Sequence, residues 1–426
     1  MKIETLYQEF LKSTGVCTDT RKITKGCLFF ALKGENFNGN EFAQEALDKG
    51  AYKVVIDQIG FHKNTGETIL YVSSLRILQK LASYHRKKSN IPLIAITGSN
   101  GKTTTKELIN AVLSQKYKTI ATKGNLNNHI GVPLTLLTIN SETEMGIVEM
   151  GANHLKEIDQ LCEIAHPDYG YITNFGKAHL EGFVSIEGVI LGKTELYNYL
   201  FKNQKEVFVN ANDPKQLFHS KDLKRITFGD EQQDINVKLK DASNKLIIHY
   251  KGIEICTHLI GIYNFHNIAA AIAIGNYFEV SPEEIKKAIE SYIPLNNRSQ
   301  IIDKGSNKII LDAYNANPTN MLAALENFKQ LKGDHKILFL GDMFELGDHA
   351  EKEHQEITSF LDEHHFGRSY LIGENFFKTS TKDQNFKQFK NFEDLKDHLK
   401  SRSFENSTIL IKASRGMALE RILDLL

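Results

Sequence analysis

The sequence predicts an α/β protein of three domains, and three observations carry that expectation. Its 426 residues fill about three units of the usual ~150 residues each. An apolar run from Ile91 to Ile96 has the length and β-branched content of a buried strand; two glycines follow within five residues, and then Leu108, Ile109, Val112 and Leu113 recur at helical spacing. In the last third, short apolar strands alternate with helical segments, the pattern of a parallel, doubly wound sheet. The expected division is a small N-terminal α/β domain over 1–86, a central domain over 87–294 with a parallel sheet plus antiparallel hairpins, and a C-terminal Rossmann-like domain over 295–426.

Composition sets the outer limits. Lys plus Arg and Asp plus Glu both number 52, so no overall basic field draws in nucleic acid or an anionic membrane surface. Any bound anion must be held by a local site. Cys17, Cys27, Cys162 and Cys256 lie far apart with no C-x-x-C pair, which argues against a disulfide framework or a zinc knuckle and suits a reducing compartment. Met1-Lys2-Ile3-Glu4 opens into a polar helical segment rather than a signal-peptide core. The apolar run around Ile268 to Ile274 is far short of the ~18 residues of a spanning helix. A cytoplasmic protein without membrane insertion is expected.

In the N-terminal domain, Leu28 to Leu32 and Lys53 to Ile56 read as strands with a helix at Phe42 to Leu47 between them. The polar cluster Thr18-Asp19-Thr20-Arg21 fits a helix cap or turn as well as a ligand site. The basic and polar stretch Tyr84 to Asn90 is the expected linker to the central domain.

The central domain opens with Thr97-Gly98-Ser99-Asn100-Gly101-Lys102-Thr103-Thr104. Strand, glycine turn and helix together aim backbone N–H groups and a positive helix end at a phosphate. Lys102 would add a point charge and Thr103 a hydroxyl for Mg²⁺, the reading of a phosphate-loop ATPase domain. The loop is shorter than the common pattern, since Ile96 stands where the first glycine is usual. Gly124 to Pro133, with Asn127 and Asn128, is either a plain turn or a loop that reaches substrate or phosphate. Ile147-Val148-Glu149-Met150-Gly151 is a strand ending in an acid, the place of a metal-side carboxylate in phosphate-loop folds. His179 follows the strand Tyr169 to Thr173, which favours contact with metal or phosphate. Lys193 taken alone is a surface lysine. Asp234 to Ile260 alternates polar and apolar residues as antiparallel hairpins do. Asn264 and Asn267, three apart at the start of an Ala-rich helix, either cap it or contact a base.

In the C-terminal third, strands at Ile309 to Leu311, Ile337 to Leu340, Tyr370 to Ile372 and Ile409 to Ile411 each end in polar residues, where ligands of such sheets collect. Helical segments are expected at Asn320 to Leu331, Glu351 to Glu363, Phe392 to Leu399 and Met417 to Leu425. No Gly-x-Gly-x-x-Gly follows these strands, so the domain lacks a dinucleotide fingerprint. It is expected to face the central domain and close over the nucleotide.

Over nearly the whole chain, in order, these residues resemble the Mur ligases, ATP-dependent amide ligases that build the peptide stem of the bacterial cell wall. Thr97 to Thr103 matches the shortened phosphate loop of that family and of folylpolyglutamate synthases. Asp312-Ala313-Tyr314-Asn315-Ala316-Asn317-Pro318 and Leu340-Gly341-Asp342-Met343-Phe344-Glu345-Leu346-Gly347 are similar to motifs of the members that join D-alanyl-D-alanine to a UDP-N-acetylmuramoyl-tripeptide. Asn125 to Asn128 and Glu149 to Ala152 point the same way, and the Asp-Asn-Pro-Arg motif of the diaminopimelate-adding members is absent.

The resemblance implies ATP and two Mg²⁺ ions. Gly98 to Thr104 would cradle phosphates, with Lys102 on the phosphates and Thr103, Glu149 and His179 on magnesium. Lys193 falls where the family carries a carbamylated lysine, whose formation needs a neutral amine, so a metal-rich site is expected to depress its pKa. Asn264 and Asn267 would contact adenine, Arg298 the γ-phosphate and Asp312 the ribose. Thr20 and Arg21 would hold the UDP end, and Asn127, Asn128, Asn315, Asn317, Lys412 and Ser414 would contact substrate. Three positions depart from the family pattern: Leu311 where an acid is common, Asn297 where glycine is, and His129 where Glu is. A monomer is expected. The nearest alternatives are a diaminopimelate- or lysine-adding ligase or a folylpolyglutamate synthase. A nucleotide-dependent switch is more remote, since the Asn-Lys-x-Asp of guanine-binding switches is absent.

Overall fold

A computed structural model describes every residue except Met1, Asn296, Lys332 and Asp334. Met1 of the expected N-terminal helix therefore lies outside the described residues, and the helix itself runs Ile3–Lys12. The N-terminal sheet is parallel in the order β1 (Val16–Cys17), β2 (Leu28–Phe30), β3 (Lys53–Ile56), β4 (Thr68–Leu70).

The central sheet has seven parallel strands. They are β5 (Leu93–Thr97), β6 (Thr119–Ala121), β7 (Met145–Glu149), β8 (Tyr169–Ile172), β9 (Glu206–Asn210), β10 (Lys224–Gly229) and β11 (Ile235–Asn236), in the order β11-β10-β9-β8-β5-β7-β6. β5 lies between β8 and β7, and every residue of β5 is buried. Its side chains alternate between two apolar cores, as a period of two requires: Ile94 and Ile96 pack in one, Leu93 and Ala95 in the other. The helix Ile262–Tyr277, apolar on nearly all sides, lies in the first core beside the helix Lys102–Leu113.

An antiparallel hairpin sheet, β12 (Lys238–Asp241), β13 (Ile247–Tyr250) and β14 (Ile253–Cys256), follows. Within the stretch expected to be all hairpin, Ile235–Asn236 instead joins the parallel sheet beside β10. The C-terminal sheet contains β15 (Gln300–Lys304), β16 (Asn307–Asp312), β17 (His335–Gly341), β18 (Arg368–Ile372), β19 (Phe386–Phe389) and β20 (Ser407–Lys412), in the order β15-β16-β20-β17-β18-β19. Only β15, at its edge, runs antiparallel. The expected last helix is two short 3₁₀ segments, Arg415–Met417 and Leu419–Leu425, because Ala418 sits at φ +48° and breaks the helical run.

The three domains share one apolar cluster that contains Leu6 and Phe30, Val148 and Phe175, and Met321 and Leu340. The stretch 84–90 is not a linker. It forms the last turns of the helix Ser74–Ser89, with only Asn90 outside as its left-handed cap. The composition misleads because Lys87 and Lys88 are exposed while His85 and Arg86 are buried and bonded. Arg86 donates to the carbonyls of Ala165 and His166 and to Asp168 at 2.7 Å, and His85 bonds the Ile139 carbonyl at 2.9 Å. No described helix is long and apolar enough to cross a membrane.

Beside this joint His166 bonds Ser83 Oγ at 2.7 Å and Tyr199 OH at 3.1 Å. Burial, and then Lys87 and Arg86, hold its imidazole down at about 4 against an ordinary value of 6.5. Between those values the unfolded chain binds a proton that the folded chain refuses, so folding stability falls as pH drops from about 6.5 toward 4. His166 is at φ +45°, a conformation asparagine tolerates. His166→Asn is expected to remove about 2 kcal/mol of that pH-dependent loss, read as a shallower fall of denaturation midpoint between pH 7 and 4.5.

Candidate functional site

The turn after β5 needs its glycines. Gly98 has φ +140° and a Cβ there would lie 2.0 Å from Thr173 Oγ1 and 2.9 Å from the Thr173 backbone nitrogen. Gly101 has φ +79°, and its Cβ would meet Asn267 Oδ1 at 2.5 Å. The loop is thus pressed against the tip of β8 on one side and the helix Ile262–Tyr277 on the other. Hydrogen bonds seal the contact with the tip of β8. Ser99 Oγ donates to the Gly176 carbonyl at 2.9 Å and accepts the Gly176 N–H at 3.0 Å. The Asn100 carbonyl accepts from Thr173 Oγ1 at 2.6 Å and Asn174 Nδ2 at 3.1 Å. Ile96 lies fully buried inside β5, so the four residues 98–101 make the whole turn before the helix begins at Lys102. Lys102 Nζ donates to the carbonyls of Gly98 at 2.6 Å and Ser99 at 3.3 Å.

A cavity of about 690 Å³ opens at this turn, within the range of small-molecule sites. Of the residues singled out from the sequence, Ser99, Asn100, Gly101, Lys102, Thr103 and Thr104 line it. So do Asn127, Asn128, Glu149, His179, Asn264, Asn267, Arg298, Asp312, Asn315 and Lys412. Glu149 ends β7, paired in register with Ile96, and is almost wholly buried. Asn127 Nδ2 donates to its Oε1 at 2.8 Å, while Oε2 has no hydrogen-bond partner among the described residues. A buried carboxylate oxygen left this way fits a cation. Among the described residues no three His, Cys, Asp or Glu side chains cluster as a metal site, so other oxygens would have to complete one.

Lys193 stands one layer behind the cavity wall. Its Nζ donates to the carbonyl of Ala152, a lining residue, at 3.1 Å and lies 5.0 Å from the Phe183 ring centre. It is fully buried, not a surface lysine. Burial first, then the charge of Lys102, push its pKa well below the ordinary value, against the pull of Glu157 and Glu195. Burial also lowers the pKa of Lys102, with Arg298 adding to the shift and Glu149 opposing it.

Asn264 and Asn267 do not cap their helix, whose N-cap is Gly261 with no side-chain bond. Asn264 Nδ2 donates to the Ile260 carbonyl at 2.8 Å, Asn267 Nδ2 to Asn264 Oδ1 at 2.9 Å, and Thr105 Oγ1 to Asn267 Oδ1 at 3.0 Å. The chain of bonds ties this helix to the helix after the glycine turn. Arg298 lies over the Tyr314 ring, 3.7 Å from its centre. Asn297 before it has φ +58°, a left-handed conformation that asparagine adopts more readily than most residues. Asp312 and Lys412 end the paired strands β16 and β20, with Lys412 Nζ 2.5 Å from Asp312 Oδ2. Asp312 Oδ1 also accepts the Ser299 N–H at 3.2 Å.

Other expected residues fall outside the cavity lining. Asn317 caps the helix Pro318–Gln330 in a reciprocal box with Asn320, and its Nδ2 donates 2.7 Å to Asn100 Oδ1, which also accepts from Asn320. Ser414 Oγ accepts the Phe344 N–H at 2.8 Å. Thr20 and Arg21 lie in a 3₁₀ turn capped by Asp19, which also binds the Arg21 guanidinium at 2.8 Å, so the cap reading holds locally. Residues not singled out from the sequence also line the cavity, among them Glu157, Tyr263, Tyr314, Asn320 and Glu345. Glu345 Oε2 lies 2.5 Å from His179 Nδ1, and this partner holds the Glu345 carboxyl below its usual range. Its one sequence signal was its place in Leu340 to Gly347.

Three family models span most of the chain: "Mur ligase family, catalytic domain" matches residues 12–86, "Mur ligase middle domain" 96–275, and "Mur ligase, glutamate ligase domain" 297–415. The chain is 36% identical to the UDP-N-acetylmuramoyl-tripeptide--D-alanyl-D-alanine ligase of Bacillus subtilis, over 96% of this chain and 92% of that one. A crystal structure of MurF from Acinetobacter baumannii superimposes with a TM-score of 0.87 at 28% identity, covering 100% of this chain and 98% of that one. The MurF ligase of Thermotoga maritima in complex with ADP gives 0.84 at 26% identity, covering 98% and 97%.

The tightness of the glycine turn yields a direct check. Gly98→Ala forces a Cβ against the backbone of β8 at a left-handed φ and is expected to cost about 2–4 kcal/mol of stability, measured by denaturant unfolding.

Proposed function

The chain belongs to the Mur ligase family, and we propose that it joins D-alanyl-D-alanine to a UDP-N-acetylmuramoyl-tripeptide through an ATP-derived acyl phosphate in peptidoglycan synthesis. The observation that carries this reading is the convergence of strand tips from two domains on one cavity. The tips of β5 and β7 bring Lys102 and Glu149, and those of β16 and β20 bring Asp312 and Lys412. That arrangement suits a reaction that must hold a triphosphate and a peptide carboxylate together while water is kept out.

In the proposed reaction the terminal carboxylate of the tripeptide attacks the γ-phosphorus of ATP, and ADP leaves. The acyl phosphate makes the carbonyl carbon open to the amine of D-alanyl-D-alanine, which attacks, loses a proton and expels inorganic phosphate from a tetrahedral intermediate. Negative charge gathers on phosphoryl oxygens in both steps, so catalysis is positioning and electrostatic stabilisation. Lys102 and the N–H groups of 98–104 would hold the phosphates, and Arg298, steadied by Tyr314, would meet the γ-phosphate. Asn264 and Asn267 would border the adenine and Asp312 the ribose. Thr20 and Arg21 would hold the UDP end of the substrate. Asn127, Asn128, Asn315 and Lys412 would contact the peptide portion, with Asn317 and Ser414 bracing the loops beside it.

Mg²⁺ fits the donor set, because a partnerless Glu149 oxygen, Thr103 and His179 line the same cavity. Two ions held by these three and by a carbamate on Lys193 would neutralise phosphoryl charge. The lowered pKa of Lys193 supports the carbamate, since only a neutral amine adds CO₂. We place the protein in the cytoplasm as a monomer.

Phosphate release with D-alanyl-D-alanine set against single amino acids, on lysine- and diaminopimelate-containing tripeptides, tests the reading. Release with the dipeptide is expected. Release only with diaminopimelate, lysine or glutamate overturns it in favour of another ligase on this scaffold. Lys102→Ala is expected to raise the barrier by at least ~3 kcal/mol, more than a hundredfold in kcat, with circular dichroism unchanged. A near-normal rate removes Lys102 from the mechanism.

A further inference from the structure

The loop after β17 carries part of the cavity wall, and its backbone is held from three sides. Met343 and Leu346 are buried in the shared apolar cluster, while between them Glu345 lines the cavity and Phe344 is 43% exposed. Glu345 is non-glycine with a left-handed φ of +60°, a conformation that persists where its surroundings hold it. Three successive N–H groups lead up to it, and each meets a different element. Asp342 donates to the Ile372 carbonyl of β18 at 3.0 Å, and Phe344 to Ser414 Oγ after β20 at 2.8 Å. Between them, the Met343 N–H donates at 2.9 Å to Nε2 of His354 in the helix Ala350–His364.

His354 is fully buried, and its two ring nitrogens meet groups of opposite kind. Nδ1 lies 2.6 Å from the Ala350 carbonyl, which can only accept; Nε2 faces the Met343 N–H, which can only donate. The ring is therefore neutral, with its proton on Nδ1 and its lone pair on Nε2. Burial lowers its pKa from the ordinary value. It prevails over the Ala350 carbonyl, the Asp342 carboxylate 3.6 Å from Nε2, and Glu353, itself bound by Lys177, which all act the other way. Phe376 packs against the ring edge to face, 4.7 Å between centres. Apolar packing of Met343 and Leu346 anchors the loop but has no direction. The bond to Nε2 is directional, and it fixes the chain at the residue before Phe344 and Glu345.

We propose that His354 is a positioning residue: through Nε2 it holds the Met343 N–H and so sets the turn that presents Phe344 and Glu345 to the cavity. Its kinetic consequence rests on this cavity being where the peptides react, as read above.

The test combines ¹⁵N imidazole NMR of the full chain near neutral pH, amide hydrogen exchange at Met343, and steady-state kinetics. The wild type is expected to carry His354 as the Nδ1–H tautomer; an Nε2–H tautomer overturns the proposal, whatever the variants do. His354→Gln puts an amide oxygen near the place of Nε2 and keeps an acceptor for Met343. His354→Asn reaches only the place of Nδ1 and loses that acceptor. The asparagine variant is expected to speed Met343 exchange about tenfold and to lower kcat/KM for the tripeptide and D-alanyl-D-alanine about tenfold. Its ADP affinity is expected to stay unchanged, because the residues read above as nucleotide contacts are not on this loop. The glutamine variant is expected to recover most of both losses. Equal losses in the two variants, or ADP affinity falling in step with kcat/KM, overturn the positioning role in favour of general packing. If the wild type releases no phosphate with the dipeptide, the reaction read above fails, and tautomer and exchange still decide whether His354 holds the loop.

Discussion

The side chain of Asn100 and the four-residue turn that carries it connect most of what the cavity is built from. Its carbonyl is bound by the tip of β8, and its amide oxygen accepts from Asn317 and Asn320 at the start of a C-terminal-domain helix. The turn can stand this close to its neighbours only because residues 98 and 101 lack a side chain. A buried backbone stretch of this kind must have its polar groups satisfied, and here the backbone partners come from the segment after β8, while the Asn100 side chain is bound from another domain. The constraint that gives the turn its shape also joins the two large domains at the cavity mouth.

Charge is arranged against the same background. The chain is neutral overall, yet Lys102, Arg298 and Lys412 line one cavity and Lys193 stands behind it. Each cation is restrained differently. Loop carbonyls hold Lys102, an aromatic ring holds Arg298, a carboxylate holds Lys412, and burial against Phe183 holds Lys193. Preorganised charges need not reorganise when negative charge develops, which is the physical basis for stabilising a phosphoryl-transfer transition state. Burial is the main cause that lowers the pKa of both Lys102 and Lys193.

Much of the architecture was legible in local pattern. The run before Gly98 is a strand, the positions after Lys102 form a helix, Lys53–Ile56 and Phe392–Leu399 match their expected bounds, and the four C-terminal strands lie where apolar runs placed them. The errors share a cause. Tyr84 to Asn90 was read as linker from its basic composition, but Arg86 is buried against carbonyl groups of residues 165 and 166 and against Asp168. Capping is one of two readings the sequence leaves open for Asn264 and Asn267, and the fold sets it aside, since their amides bond to Ile260, to each other and to Thr105. In each case a polar side chain found its partner far along the chain or inside the core, where composition carries no information.

The sequence by itself determined the phosphate-binding turn, the strand-end acid Glu149, the α/β class and the family, because backbone conformation and burial periodicity are written over a few adjacent residues. The tertiary structure alone decided that Glu345 meets His179, that Asn317 serves the Asn100 turn from outside the cavity, and that Lys193 lies buried beside Ala152 and Phe183. Those pairings join residues tens to hundreds of positions apart, and they exist only once separate sheets have packed and brought their edges together.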